Sequence, residues 1–121
     1  HLSLEYVFLQ EEQCEPLPYM RFLYYRDPGG SMAPHIDLCK RTPGSKRGAS
    51  TRTLLLYLGD CGSGGETVLL EREGATLEKS GEILATVAPR SGRIFAFPHK
   101  CPHAGLKVVD APKILLRGEL Y

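Results

Sequence analysis

The chain has 121 residues, of which 42% are hydrophobic and 24% are charged, and its formal net charge at pH 7 is +1. This composition is that of one soluble globular domain, and a net charge near zero excludes a global field that would attract nucleic acid or an anionic membrane. The longest apolar runs, such as 53–58, are far shorter than the roughly 20 residues of a membrane-spanning helix. We therefore expect one domain over residues 1–121, with residues 1–18 as an N-terminal remnant and residues 19–121 as its core.

Short apolar segments alternate along the chain with turns that contain glycine and proline. No segment shows a convincing 3.6-residue period, whereas β-branched and aromatic residues are typical of strands. Residues 4–10 suit either an edge strand or the remnant of a helix. The further predicted strands are 19–25, 32–38, 53–58, 66–71, 83–88, 93–97, 99–109 and 112–121. Regularly spaced short strands predict an all-β sandwich or jelly roll.

The cysteines, Cys14, Cys39, Cys61 and Cys101, are widely scattered and form no C-x-x-C pair. Such spacing is typical of free thiols and favours a reducing compartment, although it also permits one disulfide.

A long basic segment, residues 39–52, follows the predicted strand 32–38. It contains no acidic residue, and its cations are Lys40, Arg41, Lys46, Arg47 and Arg52. The ordinary expectation for such a segment is a solvated loop, and the functional alternative is a lid over the substrate, with cations suited to an acidic peptide or a phosphate backbone. Because no aromatic residues are interleaved with the cations, the pattern disfavours nucleic acid.

The tripeptide His35-Ile36-Asp37 predicts a metal site. Residues two apart on a strand point to the same side, so His35 and Asp37 project together, and a buried aspartate between apolar neighbours needs a partner. One imidazole and one carboxylate are two thirds of the 2-His-1-carboxylate set that binds non-haem Fe(II) with open positions. His103, just after Pro102, is the best candidate for the third ligand.

The charge of such a site predicts a buried cation. Fe(II) with two neutral imidazoles and one carboxylate is at net +1, and a dianionic 2-oxo acid brings the site to −1. Lys113 is our first choice to pair with the far carboxylate, and Arg117 is the second. The two lie about 13 Å apart along one face of a strand, so both cannot hold the same group.

Several motifs in order along the chain resemble the prolyl 4-hydroxylase type of Fe(II)/2-oxoglutarate dioxygenase. They are Arg21-Phe22-Leu23-Tyr24-Tyr25, Pro34-His35-Ile36-Asp37, Leu56-Tyr57-Leu58-Gly59-Asp60, Gly64-Gly65-Glu66-Thr67, Gly92-Arg93-Ile94-Phe95-Ala96-Phe97, His103-Ala104-Gly105 and Lys113. The resemblance implies a double-stranded β-helix (jelly roll), with the N-terminal bracing helices absent or truncated.

The resemblance also implies residue roles. His35, Asp37 and His103 would bind the iron, and Lys113 would pair with the distal carboxylate of 2-oxoglutarate. Tyr57 would hydrogen-bond that same carboxylate, and Tyr25 would line the cosubstrate pocket. The implied activity is hydroxylation with O₂, which releases succinate and CO₂ and uses ascorbate as a reductant.

The sequence leaves four substrates open: peptidyl proline, another amino-acid side chain, a free small molecule and a nucleobase. The collagen-type resemblance points to the secretory pathway, whereas the scattered cysteines do not. Two other functions compete with the hydroxylase: a non-catalytic jelly-roll binding module, and a cupin-like metalloenzyme that uses no 2-oxoglutarate.

A zinc site made by His99, Cys101 and His103 is disfavoured, because alternate residues on one strand converge poorly on a tetrahedral ion. We expect His1 and His99 to be ordinary packed or surface histidines.

Overall fold

The computed structural model of the chain describes residues 16–17, 19–41, 48–71 and 83–121. These residues form eight strands and no helix, as the strand pattern predicted. The strands are β1 Arg21–Tyr25, β2 Met32–His35, β3 Arg52–Tyr57, β4 Thr67–Leu70, β5 Ile83–Val87, β6 Ile94–Pro98, β7 His103–Gly105 and β8 Lys113–Leu120. No helix among the described residues is long and apolar enough to cross a membrane.

The strands form two four-stranded antiparallel sheets. The first sheet has the order β1-β8-β3-β6, and the second has the order β2-β7-β4-β5. The chain passes repeatedly between the sheets, so strands distant in sequence become neighbours in space. This arrangement confirms the predicted all-β jelly roll.

The core lies between the sheets because alternate residues of their strands face inwards. On β3, Thr53, Leu55 and Tyr57 are buried, while the residues between them are partly exposed. On β8, Lys113 and Leu115 are buried by the same alternation. Since the period of a strand is two residues, polar groups in phase with the apolar ones are carried into the interior.

Two predicted strands are wrong in extent. The segment 32–38 is a strand only to His35, so Asp37 lies beyond the strand that carries the histidine. The segment 99–109 contains only the three residues of β7, after the bend around Cys101 and Pro102. The predicted loop 39–52 also ends earlier than expected, because Arg52 opens β3 and pairs with Pro98 and Leu120.

Some predictions fall outside the described residues. These are the segment 4–10, most of the N-terminal remnant 1–18, and the residues His1, Cys14, Lys46 and Arg47. Among the cysteines of the described residues, Cys39, Cys61 and Cys101 are all free thiols.

Candidate active site

Two histidines lie side by side on neighbouring strands of the second sheet. His35 ends β2 and His103 begins β7, and the antiparallel register places them directly opposite one another, with ring centroids 4.3 Å apart. Phe97 packs its ring edge-on against His103, at 4.6 Å between centroids. The sequence cue that places His103 here is Pro102, after which the chain enters the interior.

Asp37 completes this cluster from outside the strand. Its backbone N–H donates to the carbonyl of His99 at 3.0 Å, which holds the chain beside the second sheet after β2 ends. One ligand atom from each of His35, Asp37 and His103 lies within 4.8 Å of the others. Among the described residues this is the one cluster of three or more groups that could hold a metal. The alternative zinc set around His99 and Cys101 is therefore not assembled.

The hydrogen bonds of the two rings leave one nitrogen of each free to bind a cation. Nδ1 of His35 donates to the carbonyl of Ala33 at 2.7 Å, and Nδ1 of His103 donates to that of Cys101 at 2.9 Å, because a carbonyl can only accept. In the neutral rings Nε2 is then a lone-pair donor. These two nitrogens lie 3.5 and 3.4 Å from the oxygens of Asp37.

The electrostatics of the site favour the protonation states that metal binding needs. Burial raises the pKa of Asp37, but the hydrogen bond from Thr53 and the charge of Arg117 outweigh it, so the pKa of the carboxyl is below its ordinary value. Burial lowers the pKa of His103, although its contact with the Cys101 carbonyl opposes this effect. At neutral pH the site therefore presents a carboxylate and a neutral His103. Acceptor atoms facing one another repel unless a cation lies between them, and this donor set fits Fe(II).

A cavity between the sheets leads from the histidines to Lys113. Its walls include Leu23, Tyr25, Thr67, Phe97 and Leu115. Lys113 is 5% exposed, and burial lowers the pKa of its ammonium group. Its Nζ lies 5.3 Å from the centroid of the Tyr25 ring, and no carboxylate of the described residues lies within ion-pair distance of it, although the charge of Glu66 acts on it from further away. An unpaired buried ammonium at the end of a cavity is suited to bind an anion.

The two predicted tyrosines lie at different depths. Tyr25 lines the cavity beside Lys113, whereas Tyr57 is fully buried behind the wall. The hydroxyl of Tyr57 lies 2.6 Å from that of Thr67, which does line the cavity. Thr67 ends the motif Gly64-Gly65-Glu66-Thr67, but no role was predicted for it; its place two residues before Leu69, on the same face of β4, was the available signal for an inward position.

Arg117 lies near the metal cluster rather than beside Lys113. Its Nη2 lies 3.1 Å from Oδ1 of Asp37, and its Nη1 lies 2.6 Å from Oε1 of Glu119. Both acidic partners are largely buried, with side chains 7% and 6% exposed. The guanidinium group is therefore already paired with two carboxylates.

The basic segment after Asp37 is held at its base. The backbone N–H of Lys40 donates to Oγ of Ser50, and the N–H of Ser50 donates to the carbonyl of Lys40. Lys40 and Arg41 line a second cavity of about 200 Å³, together with Arg21 and Arg117. Arg117 borders both cavities.

Comparison with known proteins gives the class to which this fold and site belong. The model of the "2OG-Fe(II) oxygenase superfamily" matches residues 20–118. The chain belongs to that family. The cofactor and cosubstrate of the family are Fe(II) and 2-oxoglutarate, and this chain carries the triad His35, Asp37 and His103.

Three solved structures are similar in fold. A prolyl-4-hydroxylase from Pseudomonas putida is 22% identical with a TM-score of 0.57, covering 83% of this chain and 49% of that one. A prolyl 4-hydroxylase from Phytophthora capsici is 23% identical with a TM-score of 0.60, covering 98% of this chain and 38% of that one. A viral collagen prolyl hydroxylase from Paramecium Bursaria Chlorella virus-1 is 22% identical with a TM-score of 0.58, covering 98% and 69%.

The chain thus spans half or less of the length of the first two structures. No curated protein matches its sequence. At these identities the three structures establish the fold alone.

Proposed function

We propose that this chain is an Fe(II)- and 2-oxoglutarate-dependent hydroxylase. The observation that carries the proposal is the convergence of two imidazole lone pairs and one carboxylate, His35, His103 and Asp37, at one end of the cavity that Lys113 closes. A metal relieves the repulsion of the first three groups, and a dicarboxylate relieves the unpaired charge of Lys113. A cupin-like enzyme without an oxo acid gives no reason for that buried cation.

The residues divide the work between binding and orientation. His35, Asp37 and His103 would hold the iron on three sides and leave its other positions open. Lys113 would pair with the far carboxylate of 2-oxoglutarate, with Tyr25 beside it and Tyr57 supporting Thr67 at the wall. The bound iron and 2-oxoglutarate supply the oxidising chemistry with O₂, which releases succinate and CO₂. The apolar walls orient the cosubstrate and exclude water.

Lys113 is a better anchor than Arg117 on the contacts each already has. Arg117 is engaged by Asp37 and Glu119, so binding a third carboxylate would mean breaking one of those pairs. Lys113 has no such partner among the described residues and faces the cavity. We therefore assign the cosubstrate to Lys113.

For the substrate we propose a peptidyl proline, which draws on the three similar structures being prolyl hydroxylases. The basic residues Lys40 and Arg41, with Arg21, would contact acidic positions of the peptide at the second cavity. Arg52 is the first residue of β3 and lies in the strand rather than in the loop, so its proposed role is to support the base of this segment.

The test begins with binding and then measures turnover. Under anaerobic conditions, Fe(II) with 2-oxoglutarate should give a weak visible charge-transfer band, and O₂ should then yield succinate. Asp37→Ala should abolish both the band and the succinate. A proline-containing peptide with acidic flanks should gain one oxygen atom by mass spectrometry, whereas its proline-to-alanine counterpart should not.

The two readouts separate the proposals. If wild-type protein gives neither band nor succinate, the hydroxylase proposal fails and the non-catalytic binding module becomes the favoured alternative. A band and succinate with no peptide oxidised would refute peptidyl proline alone and direct the assay to small molecules.

A further inference from the structure

The carboxylate of Asp37 is held by a hydrogen-bond donor on each oxygen. The hydroxyl of Thr53 donates to Oδ2 at 2.5 Å, and Nη2 of Arg117 lies 3.1 Å from Oδ1. Asp37 lies beyond β2, so no strand pairing fixes its side chain. These two donors, from β3 and β8 of the opposite sheet, therefore define the plane of the carboxylate.

Each donor is itself held by a buried partner. Arg117 bonds Glu119 at 2.6 Å, two residues further along the same face of β8. Thr53 lies 2.8 Å from Nδ1 of His99, whose side chain is 1% exposed. The single proton of the Thr53 hydroxyl goes to Asp37, because a carboxylate only accepts, so Thr53 must accept from Nδ1–H of His99.

The two arms lie close together behind the site. Nε2 of His99 lies 2.8 Å from its hydrogen-bond partner, Oγ of Ser50, and 3.1 Å from Oε2 of Glu119, an oxygen with no hydrogen-bond partner among the described residues. Asp37 is thus held by two buried arms, one through Thr53 to His99 and the other through Arg117 to Glu119, and these arms join the metal cluster on the second sheet to strands of the first. Isolated buried polar groups are costly, whereas a connected network is rigid.

We propose that Thr53 and Arg117 are positioning residues that fix the orientation of Asp37 for the ion, with His99 and Glu119 holding them in turn. The inference rests on the proposed role of Asp37 as a metal ligand. With a donor on each oxygen, the carboxylate cannot rotate freely, so one oxygen is directed between the two histidines while the other keeps its hydrogen bond. Partners of this kind behind a ligand change metal affinity by about 10- to 100-fold in other sites.

Arg117 makes the proposal distinguishable from simple electrostatics. Its positive charge lies 3.1 Å from a ligand atom, so if only charge mattered its removal would strengthen the binding of a divalent cation. If Arg117 positions Asp37, its removal weakens binding although the site becomes more negative. The two explanations therefore predict opposite signs.

The experiment measures Mn(II) affinity of the metal-free protein by the electron paramagnetic resonance of the free ion. Thr53→Val, which keeps the shape and removes the hydroxyl, should weaken binding about 10- to 100-fold, whereas Thr53→Ser should stay near wild type. Arg117→Met should weaken binding over the same range, and Arg93→Met, at an exposed arginine, should not. Equal affinity for Thr53→Val and Thr53→Ser, or tighter binding by Arg117→Met, would overturn the proposal.

A second readout reports orientation directly. The visible absorption of bound Co(II) depends on coordination number and geometry, so Thr53→Val should change the bands while Thr53→Ser preserves them. Thermal unfolding of the metal-free variants establishes that each one folds, and if Arg117→Met does not, the threonine pair decides alone. Failure of wild-type protein to bind Mn(II), or binding that survives Asp37→Ala, would instead refute the proposed metal site.

Discussion

Replacement of Lys113 by methionine is the most direct test of how the cosubstrate is held. Methionine fills a similar volume without the charge, so the variant leaves the distal carboxylate of 2-oxoglutarate in a buried site without its partner. Hydrogen bonds to charged groups contribute about 1.5–3 kcal/mol, and removing one member of a buried charged pair costs about 2–5 kcal/mol. Since Lys113 is 5% exposed and has no other carboxylate partner among the described residues, we expect a loss of about 3 kcal/mol, or roughly 150-fold in affinity.

The assay is titration of the Fe(II) protein with 2-oxoglutarate under anaerobic conditions, followed by the charge-transfer band. Mn(II) affinity in the absence of 2-oxoglutarate should be unchanged, because Lys113 is not among the metal-binding groups. The cosubstrate-free variant should be at least as stable as wild type, since a desolvated and unpaired ammonium has been removed. Lys107→Met, at an exposed lysine, is the matched control.

A loss in affinity of less than about fivefold, roughly 1 kcal/mol, would refute the assignment of Lys113. An equal loss in Arg117→Met, at unchanged metal affinity, would show that the two cations share the role.

Three further predictions concern the same cavity and the core behind it. Because burial lowers the pKa of Lys113, the affinity for 2-oxoglutarate should begin to fall at a pH below the ordinary lysine value of 10.5, and Lys113→Arg should retain its affinity there. The unfolding free energy of the cosubstrate-free protein should rise with pH between the lowered pKa and 10.5, because in that range the unfolded state binds more protons than the folded state. Gly65→Ala should cost about 1–2 kcal/mol of stability for its positive φ and also weaken 2-oxoglutarate binding, because the added Cβ would lie 3.1 Å from Cδ of Lys113. Leu70→Ala should cost about 2–5 kcal/mol in chemical denaturation, because its side chain is fully buried on β4.

Each of these has a matched control in the chain. Gly92 also has a positive φ but open space around its Cβ position, so Gly92→Ala should lose similar stability and keep its cosubstrate affinity. Leu84 is 57% exposed on β5, and Leu84→Ala should stay within about 0.5 kcal/mol of wild type. If Gly65→Ala and Gly92→Ala bind 2-oxoglutarate equally, the contact with Lys113 is unimportant. A pH profile shared by wild type and Lys113→Arg would assign the titration to another group.

The sequence predicted the strands and the metal cluster because both follow from short-range rules. Short apolar and aromatic runs between turn residues identified the eight strands of the described residues, and the H-x-D tripeptide with a later histidine identified His35, Asp37 and His103. The reason given for Asp37 was only partly right, since it reaches the cluster through a backbone bond to His99 rather than by alternation on β2. That bond joins residues 62 apart in sequence, and no local pattern contains it.

The supporting residues were out of reach for the same reason. Thr53 and Glu119 lie opposite each other on β3 and β8, and His99 follows β6, so the three meet because β3 pairs with both β8 and β6 in the first sheet. His99 was expected to be an ordinary packed histidine, and it is indeed buried, but the sequence did not indicate its contact with Thr53. Alternation does place Glu119 in phase with Lys113 on β8, so a charged residue at a core position was the available signal.

The position of β2 at the rim of its sheet has a mechanical consequence. This strand has only β7 as a neighbour, and their pairing is interrupted between Met32 and His35. An ion bound by both His35 and His103 would cross-link the edge strand β2 to β7 where their pairing is interrupted. Metal binding would then stabilise the attachment of β2 to β7 as additional backbone hydrogen bonds do in other strand pairs. Metal loss would allow β2 to separate from β7, together with the basic segment that follows it.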